Sequence, residues 1–526
     1  MSPLRPEDLQ RAAARATGAD ASLVETHISW VVLAGDSVFK VKKPVGFGFL
    51  DFTTREARER ACRAEVDLNR RLAPDVYRGV VPVVRVADGL AFGGEGDVVD
   101  WAVHMRRLDD ARSGEALLAA GALGPADLRK VARKLADLHE SSAPTPEVTA
   151  FGSPAAIGVN VRENFEQTAE DLDRWLSDAE IAEVRAWHEG FLADREGLLA
   201  ARMAAGRVRD GHGDLRLEHV YVEGDATTII DCIEFNDRFR YGDVAADAGF
   251  LAMDLAWHRR VDLAELFLAL YAEESNDFDL YEVVDFYGSY RAFVRGKIAT
   301  FGARAASPGS ERERAASEQA RRYFRLAVAE HRRSLLSPMV VAVAGLIGSG
   351  KSTIAAHLTD ALSAPAVSAD RTRKSMLGLA AETKAAGGQW SGAYDRGFTE
   401  RVYAEVLRRA EVVLASGRPV ILDASFRSVA MRASARELAE RHGVPFRLVE
   451  CRAPDEVCLA RLAERERGPS VSDGRGDIFH VFKESFVPIT ELPADEHVVV
   501  ETHHPLERTK ALLDEALGAW PRGLSG

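Results

Sequence analysis

At 526 residues, with 46% of them apolar, the chain is too long for one hydrophobic core and is expected to form two or three soluble domains. Its 81 acidic against 68 basic residues leave a net charge of −13, which argues against general nucleic-acid affinity though not against a local basic groove. The four cysteines (Cys62, Cys232, Cys451, Cys458) form no C-x-x-C pair, the first residues lack a signal-peptide core, and no apolar run nears about 18 residues. A cytoplasmic protein without disulfides, zinc or a membrane partner is expected.

In chain order, residues 5–17 carry a helical pattern, and a loop follows to about 25. Two apolar runs, 27–34 and 37–43, flank Gly35-Asp36 and predict a β-hairpin. The second run places Lys40 and Lys42 on one face of a strand, at period two. The helix predicted over 53–73 supplies Glu65 for an ion pair with such a lysine. Strands follow at 80–87 and 98–108, and the periodicity is helical from about 125 to 205. The pattern returns to β over 219–234, as a hairpin whose second strand is 226–235, and helices resume from about 244 to 335. In the last of these, 310–336, charges of both signs alternate, which fits a solvated helix closing the first domain better than a nucleic-acid arm. Ser334 to Pro338 is the expected domain boundary. Beyond it strands at 340–345, 364–370, 418–424, 445–451 and 497–502 alternate with helices, one of them around 395–415, the signature of a parallel sheet covered on both faces.

The stretch Gly345 to Thr353 reads G-x-x-x-x-G-K-[ST] directly after the apolar run 340–344. A buried strand that enters a glycine turn and leaves as a helix crowds backbone N–H groups around a polyphosphate and adds the positive end of the helix dipole. Gly345, Gly348, Ser349, Gly350, Lys351, Ser352 and Thr353 are therefore expected to bind ATP, with Lys351 at the β/γ-phosphates and the Ser352 hydroxyl placed for Mg²⁺. Asp370 follows a short strand, where a carboxylate either accepts a proton from an attacking hydroxyl or caps a helix; Arg373 lies one turn on. Asp423 ends an apolar strand, either near Mg²⁺ or as a strand-end cap. Arg461, Arg465 and Arg467 precede the loop 468–477, as a flap that clamps a phosphoryl group or as an exposed charged helix. In the first half, His212-Gly213-Asp214 and Asp231 flank a predicted hairpin. Two carboxylates so separated suit phosphoryl transfer, one orienting the acceptor hydroxyl and the other holding metal.

Residues 338–526 resemble the small P-loop kinases that group with phage polynucleotide kinase, zeta toxins and gluconate kinase. The resemblance implies Asp370 as general base, Arg373 as binder of substrate or phosphate, and the Arg461/Arg465 segment as a lid. Residues 25–300 resemble the aminoglycoside phosphotransferase family, itself built like protein kinases, with HGDL at 212–215 the most specific stretch. This second resemblance implies Asp214 as catalytic aspartate, Asp231 as metal aspartate, Lys40 as phosphate lysine and Met105 to Leu108 as the hinge against adenine. Where that family has a metal-binding Asn, this chain has His219, which suits Mg²⁺ less well than an oxygen. The family's second histidine is here Arg216. No G-x-G-x-x-G occurs near the first strands; Gly46 to Phe52 follows the lysine strand. The order of halves resembles a bacterial group that fuses a phosphotransferase-like domain to a P-loop kinase.

The expected architecture is a bilobal, protein-kinase-like α+β domain over 1–335 (small lobe about 25–108, large lobe about 109–335) followed by an α/β P-loop domain with a parallel sheet over 338–526. The expected function is an ATP- and Mg²⁺-dependent kinase acting on a hydroxyl of a small molecule. Its chemistry lies first at the P-loop, and the N-terminal half is either a second, weaker kinase or a fold kept for binding. A non-catalytic ATP-binding switch and a nucleic-acid 5′-end kinase are the alternatives.

Overall fold

The computed structural model describes residues 4–47, 50–330, 337–383, 395–467, 471–472 and 474–518. The expected boundary at Ser334 to Pro338, the stretch Gly46 to Phe52 and the loop 468–477 thus each lie partly outside the described residues. By compactness the chain divides into two units: residues 1–166 with 188–251, and residues 167–187 with 252–526.

The first unit contains a six-stranded antiparallel sheet in the order Ala21–Glu25, Ser29–Ala34, Ser37–Lys42, Asp97–Arg106, Tyr77–Val86, Gly89–Phe92. Its central strands alternate side chains between two apolar layers, as period two requires. One layer joins Leu9, Trp30, Val32, Phe39 and Val41, and the other joins Val38, Cys62, Val66, Tyr77, Val103 and Met105. The helix Arg55–Asn69 starts where the Thr54 side chain accepts the Ala57 N–H at 3.2 Å. It buries Arg58, Ala61, Cys62, Glu65, Val66 and Asn69, a 3–4 spacing that makes one face. Several elements differ from the sequence reading, among them the following two. Residues 21–25 form an edge strand rather than a loop, because pairing with Ser29–Ala34 supplies hydrogen bonds that its short, largely exposed run does not announce. The second strand of the hairpin Val220–Glu223/Ala226–Ile229 stops well short of 235: Asp231 takes φ 69°, a left-handed conformation that cannot continue a ladder.

The second unit contains a five-stranded parallel sheet in the order Ala366–Ser368, Val420–Asp423, Val340–Gly345, Phe446–Arg452, His497–Glu501. The strand Val340–Gly345 is buried along its whole length, as expected of a central strand with both faces covered. Because all five strands run the same way, Gly345, Ser368 and Asp423 end at one edge, which is where open α/β sheets bind ligands. The same unit includes the helices Val261–Ser275, Val284–Ala305 and Glu311–Glu330. Among the described residues no helix is long and apolar enough to cross a membrane, and all four cysteines are buried and free.

Candidate active sites

In the P-loop unit, Gly345, Gly348 and Gly350 all have positive φ (140°, 77° and 88°). A Cβ at Gly345 would stand 2.5 Å from the Cys451 carbonyl oxygen, and one at Gly348 would stand 2.7 Å from that of Cys458, so both space and conformation demand glycine. Behind the turn, Thr502 Oγ1 donates to the Ser349 carbonyl at 2.6 Å, and Arg461 donates to the Thr502 carbonyl at 2.6 Å and to that of Gly348 at 3.4 Å. Arg461 therefore braces the turn from behind.

One pocket is lined by Gly348, Gly350, Lys351, Ser352, Thr353, Asp370, Arg373, Asp423 and Arg465. Lys351 opens the helix Lys351–Leu362 and its Nζ donates to the Leu346 carbonyl at 2.8 Å. Burial lowers the Lys351 pKa, with Asp423 and Asp370 opposing. Burial raises the Asp423 pKa, the Asp370 charge adding to the rise while Lys351 and the neighbouring Ser352 hydroxyl oppose it. Ser352 and Asp423 bring two hard oxygen donors to one pocket, so they fit Mg²⁺. Asp370 is not the cap of its helix: Ser368 is, accepting the Arg371 N–H, and Asp370 and Arg373 lie one turn apart on Ala369–Met376 and line the pocket. Arg373 Nη1 donates to Thr399 Oγ1 at 3.4 Å.

Tyr403, Ser425 and Arg427 also line this pocket and escaped sequence reasoning. The Tyr403 hydroxyl lies 3.1 Å from Ser425 Oγ and accepts the Phe426 N–H at 3.2 Å. Burial raises the Tyr403 pKa and lowers that of Arg427, the nearby Arg373 charge adding to the latter. Tyr403 is one apolar position of an amphipathic helix, so the sequence carries no signal that it faces a pocket rather than the core.

In the first unit, Lys40 Nζ lies 2.5 Å from Asp231 Oδ1 and 2.9 Å from Glu65 Oε1, and Lys42 Nζ lies 2.5 Å from Glu65 Oε2 and also pairs with Glu234. Strand periodicity turns both lysines toward one helix face, and the left-handed turn at Asp231 brings its carboxylate to the same point. The Asp231 N–H donates to the Tyr77 hydroxyl at 3.2 Å, which anchors that turn. Lys42 and Glu65 have no exposed surface. Burial works against both ammonium groups, yet the facing carboxylates prevail and raise their pKa values. Burial likewise opposes ionisation of Asp231 and Glu65, and the lysines outweigh it and hold both carboxyls below their ordinary range. The Lys42–Glu234 pair was not foreseen, because Glu234 sits in what reads as a continuing strand.

Asp214 is held differently. Asp247 accepts the N–H groups of His212 and Gly213, at 2.6 and 2.9 Å, which fixes the loop, and the Asp214 carboxylate accepts from Arg216 at 3.1 and 3.3 Å. His219 Nδ1–H donates to the Asp214 carbonyl at 2.7 Å, so Nε2 carries the lone pair, 3.8 Å from Asp231 Oδ2. Burial, then Arg216, lowers the His219 pKa and keeps the ring neutral. A carboxylate already paired with Lys40 and a single imidazole nitrogen fit Mg²⁺ poorly. Met105 is buried in the apolar layer with Val38 and Tyr77. Strands Ala21–Glu25 and Ser29–Ala34 are joined by Thr26-His27-Ile28, a tight turn without glycine.

The description "phosphotransferase enzyme family" fits residues 34–287 and the description "AAA domain" fits residues 340–489. An uncharacterized protein of Mycobacterium tuberculosis is 35% identical over 449 residues, covering 85% of this chain and 86% of that protein, and one of Mycobacterium bovis matches equally. The chain belongs to this family. Its members are thus similar over most of a two-part chain, a kinase-like phosphotransferase domain followed by a P-loop domain. Among solved structures, the GDP complex of aminoglycoside 2′-phosphotransferase-IIIa is 15% identical (61% of this chain, 99% of that one, TM-score 0.38). A gluconokinase from Sinorhizobium meliloti is 20% identical (36% of this chain, 95% of that one, TM-score 0.27).

Proposed function

We propose that the protein is an ATP-dependent kinase that phosphorylates a hydroxyl of a small molecule at its P-loop site. The observation that carries the reading is the convergence of Lys351, Ser352, Asp423 and Asp370 on one pocket at the sheet edge. Binding alone needs no base, so Asp370 beside the phosphate turn favours catalysis over a switch. Lys351 exchanges a neutral carbonyl for phosphate oxygens, a stronger charge-assisted bond. Ser352 and Asp423 would hold Mg²⁺, which would supply neutralisation of charge on the phosphates. Asp370 takes the acceptor hydroxyl's proton as its oxygen forms a bond to the γ-phosphorus and ADP leaves. Arg373 and Arg465 hold the transferring group or the acceptor. The net charge of −13 disfavours a nucleic-acid acceptor.

The N-terminal site is, in this reading, a second and weaker nucleotide site built on Lys40, Glu65, Asp214 and Asp231. What supports its weakness is that Lys40 and Arg216 already occupy the two aspartates, that His219 replaces an oxygen ligand, and that the turn joining Ala21–Glu25 to Ser29–Ala34 contains no glycine.

Incubating the full-length protein with γ-labelled ATP, Mg²⁺ and pooled sugars, aminoglycosides, nucleosides and 5′-OH oligonucleotides tests the reading. Asp370→Asn is expected to cut transfer by about 10²-fold with ATP affinity within a few-fold. If ATP affinity collapses while transfer from bound ATP persists, Asp370 is a structural residue instead.

A further inference from the structure

The helix Ala369–Met376 has two working sides. Asp370 and Arg373 line the nucleotide pocket, while Arg371 and Thr372, between them, are held by a different part of the same compact unit. Arg371 Nη1 donates to the Glu273 carbonyl at 2.8 Å, and its other terminal nitrogen lies 3.9 Å from the Glu274 carboxylate. The Glu273 side chain accepts the Ala366 N–H at 2.8 Å and the Thr359 hydroxyl at 3.0 Å. One residue therefore grips the chain on both sides of Asp370: at Ala366, where the strand into the helix begins, and at Arg371, just after it. Alongside, Arg409 Nη1 bridges Asn276 Oδ1 at 2.7 Å and Thr372 Oγ1 at 3.2 Å. Farther off, Arg418 is sandwiched between Glu265 and Asp285, at 2.6 and 2.7 Å. Glu273 lies in the last turn of the helix Val261–Ser275, which lies within the residues that match the phosphotransferase family, not the P-loop domain.

We infer that Glu273 is a positioning residue for Asp370, and that the P-loop site is complete only with the helix Val261–Ser275 of the phosphotransferase-like segment packed against it. The inference rests on the reading of Asp370 as the proton acceptor. A base must meet its proton within hydrogen-bond reach, and a misplacement of about 1 Å costs up to about 10²-fold in rate. Each attachment is weak by itself, but together they oppose both translation and rotation of the short helix that carries Asp370.

The test uses the full-length protein, with Mg-ATP as probe and water as acceptor. Glu273→Ala and Arg371→Ala are each expected to slow phosphate release about tenfold and to leave ATP affinity within twofold. Glu273→Gln keeps an oxygen for both donors, and Arg371→Lys keeps a donor for the carbonyl; both should restore most of the rate. In an Asp370→Asn background, Glu273→Ala should add less than a twofold loss, because both changes act through one group. Unchanged rates, a full additive loss, or a parallel collapse of ATP affinity would overturn the inference. If Asp370→Asn itself leaves the rate untouched, the reading of Asp370 as base fails, and hydrogen exchange decides the bracing separately. Arg371→Ala should then speed exchange in residues 369–376 severalfold relative to 429–442, and equal exchange in both would overturn it.

Discussion

The two sites of this chain hold similar side chains in opposite states. In the first unit the lysine, both aspartates and the histidine are already engaged: Lys40 with Asp231 and Glu65, the Asp214 carboxylate with Arg216, His219 with the Asp214 backbone. In the P-loop unit Lys351 rests on a neutral backbone carbonyl, and its neighbours line a pocket. The difference is energetic. Under the proposed function, phosphate would exchange one neutral bond of Lys351 for charge-assisted ones, whereas a nucleotide and metal at the first site would have to compete with ion pairs, one of them fully buried. A kinase-like arrangement of residues is therefore not the same as a site poised for ligand.

This contrast can be broken most sharply at Lys351. Lys351→Ala in the full-length protein should remove roughly 3 kcal/mol or more of transition-state stabilisation, seen as loss of Mg-ATP turnover by at least about 10²-fold. Unchanged turnover would move the chemistry to the first site. Next, Lys42→Met leaves Glu65 and Glu234 buried without their shared cation, and should cost about 3–5 kcal/mol in the urea transition of the first unit. A loss below about 1 kcal/mol would mean that the pair is solvated and the first site more open than its geometry indicates. Smaller again is the expected gap in nucleotide affinity. Calorimetric titration of Lys351→Ala isolates the first site, which should bind Mg-ATP at least about tenfold more weakly than the P-loop site does in the unaltered protein, a difference of about 1.4 kcal/mol. Equal affinities would erase the contrast.

The smallest effect sharpens how rigid the P-loop pocket is. Arg432 is fully buried, pairs with Glu491 and donates to the carbonyl of Phe426, a residue at φ 45° just after Asp423. The Arg432 hydrogen bond outweighs burial and lowers the Glu491 pKa. A depressed carboxylate contributes stability that is fully present above its unfolded value, near about 4.3, and is lost as pH falls through the folded value. Thermal unfolding between pH 5 and pH 3 should therefore fall more steeply in the unaltered protein than in Glu491→Gln. Parallel slopes would show that the pair does not hold this wall.

Contiguous signals were legible because their physics is local. A glycine turn between a buried strand and a helix needs only Gly345 to Thr353 and its flanks, and strand periodicity alone put Lys40 and Lys42 on one face. The alternation of strands and helices after residue 340 likewise sufficed for a parallel sheet, since buried strands and covering helices each carry their own pattern. What only the tertiary structure decided depends on groups far apart in the chain. The left-handed turn that sends Asp231 to Lys40 is anchored by the Tyr77 hydroxyl, 154 residues away, and nothing in the apolar run around Asp231 announces it. Tyr403 and Arg427 become pocket walls only when the long helix and the loop after Asp423 meet. Glu273 and Arg371 lie in segments that match two different families, and their bond exists because helix and sheet pack as one compact unit. Hydrogen bonds between such distant groups follow from packing geometry, which residue order and local propensity do not encode.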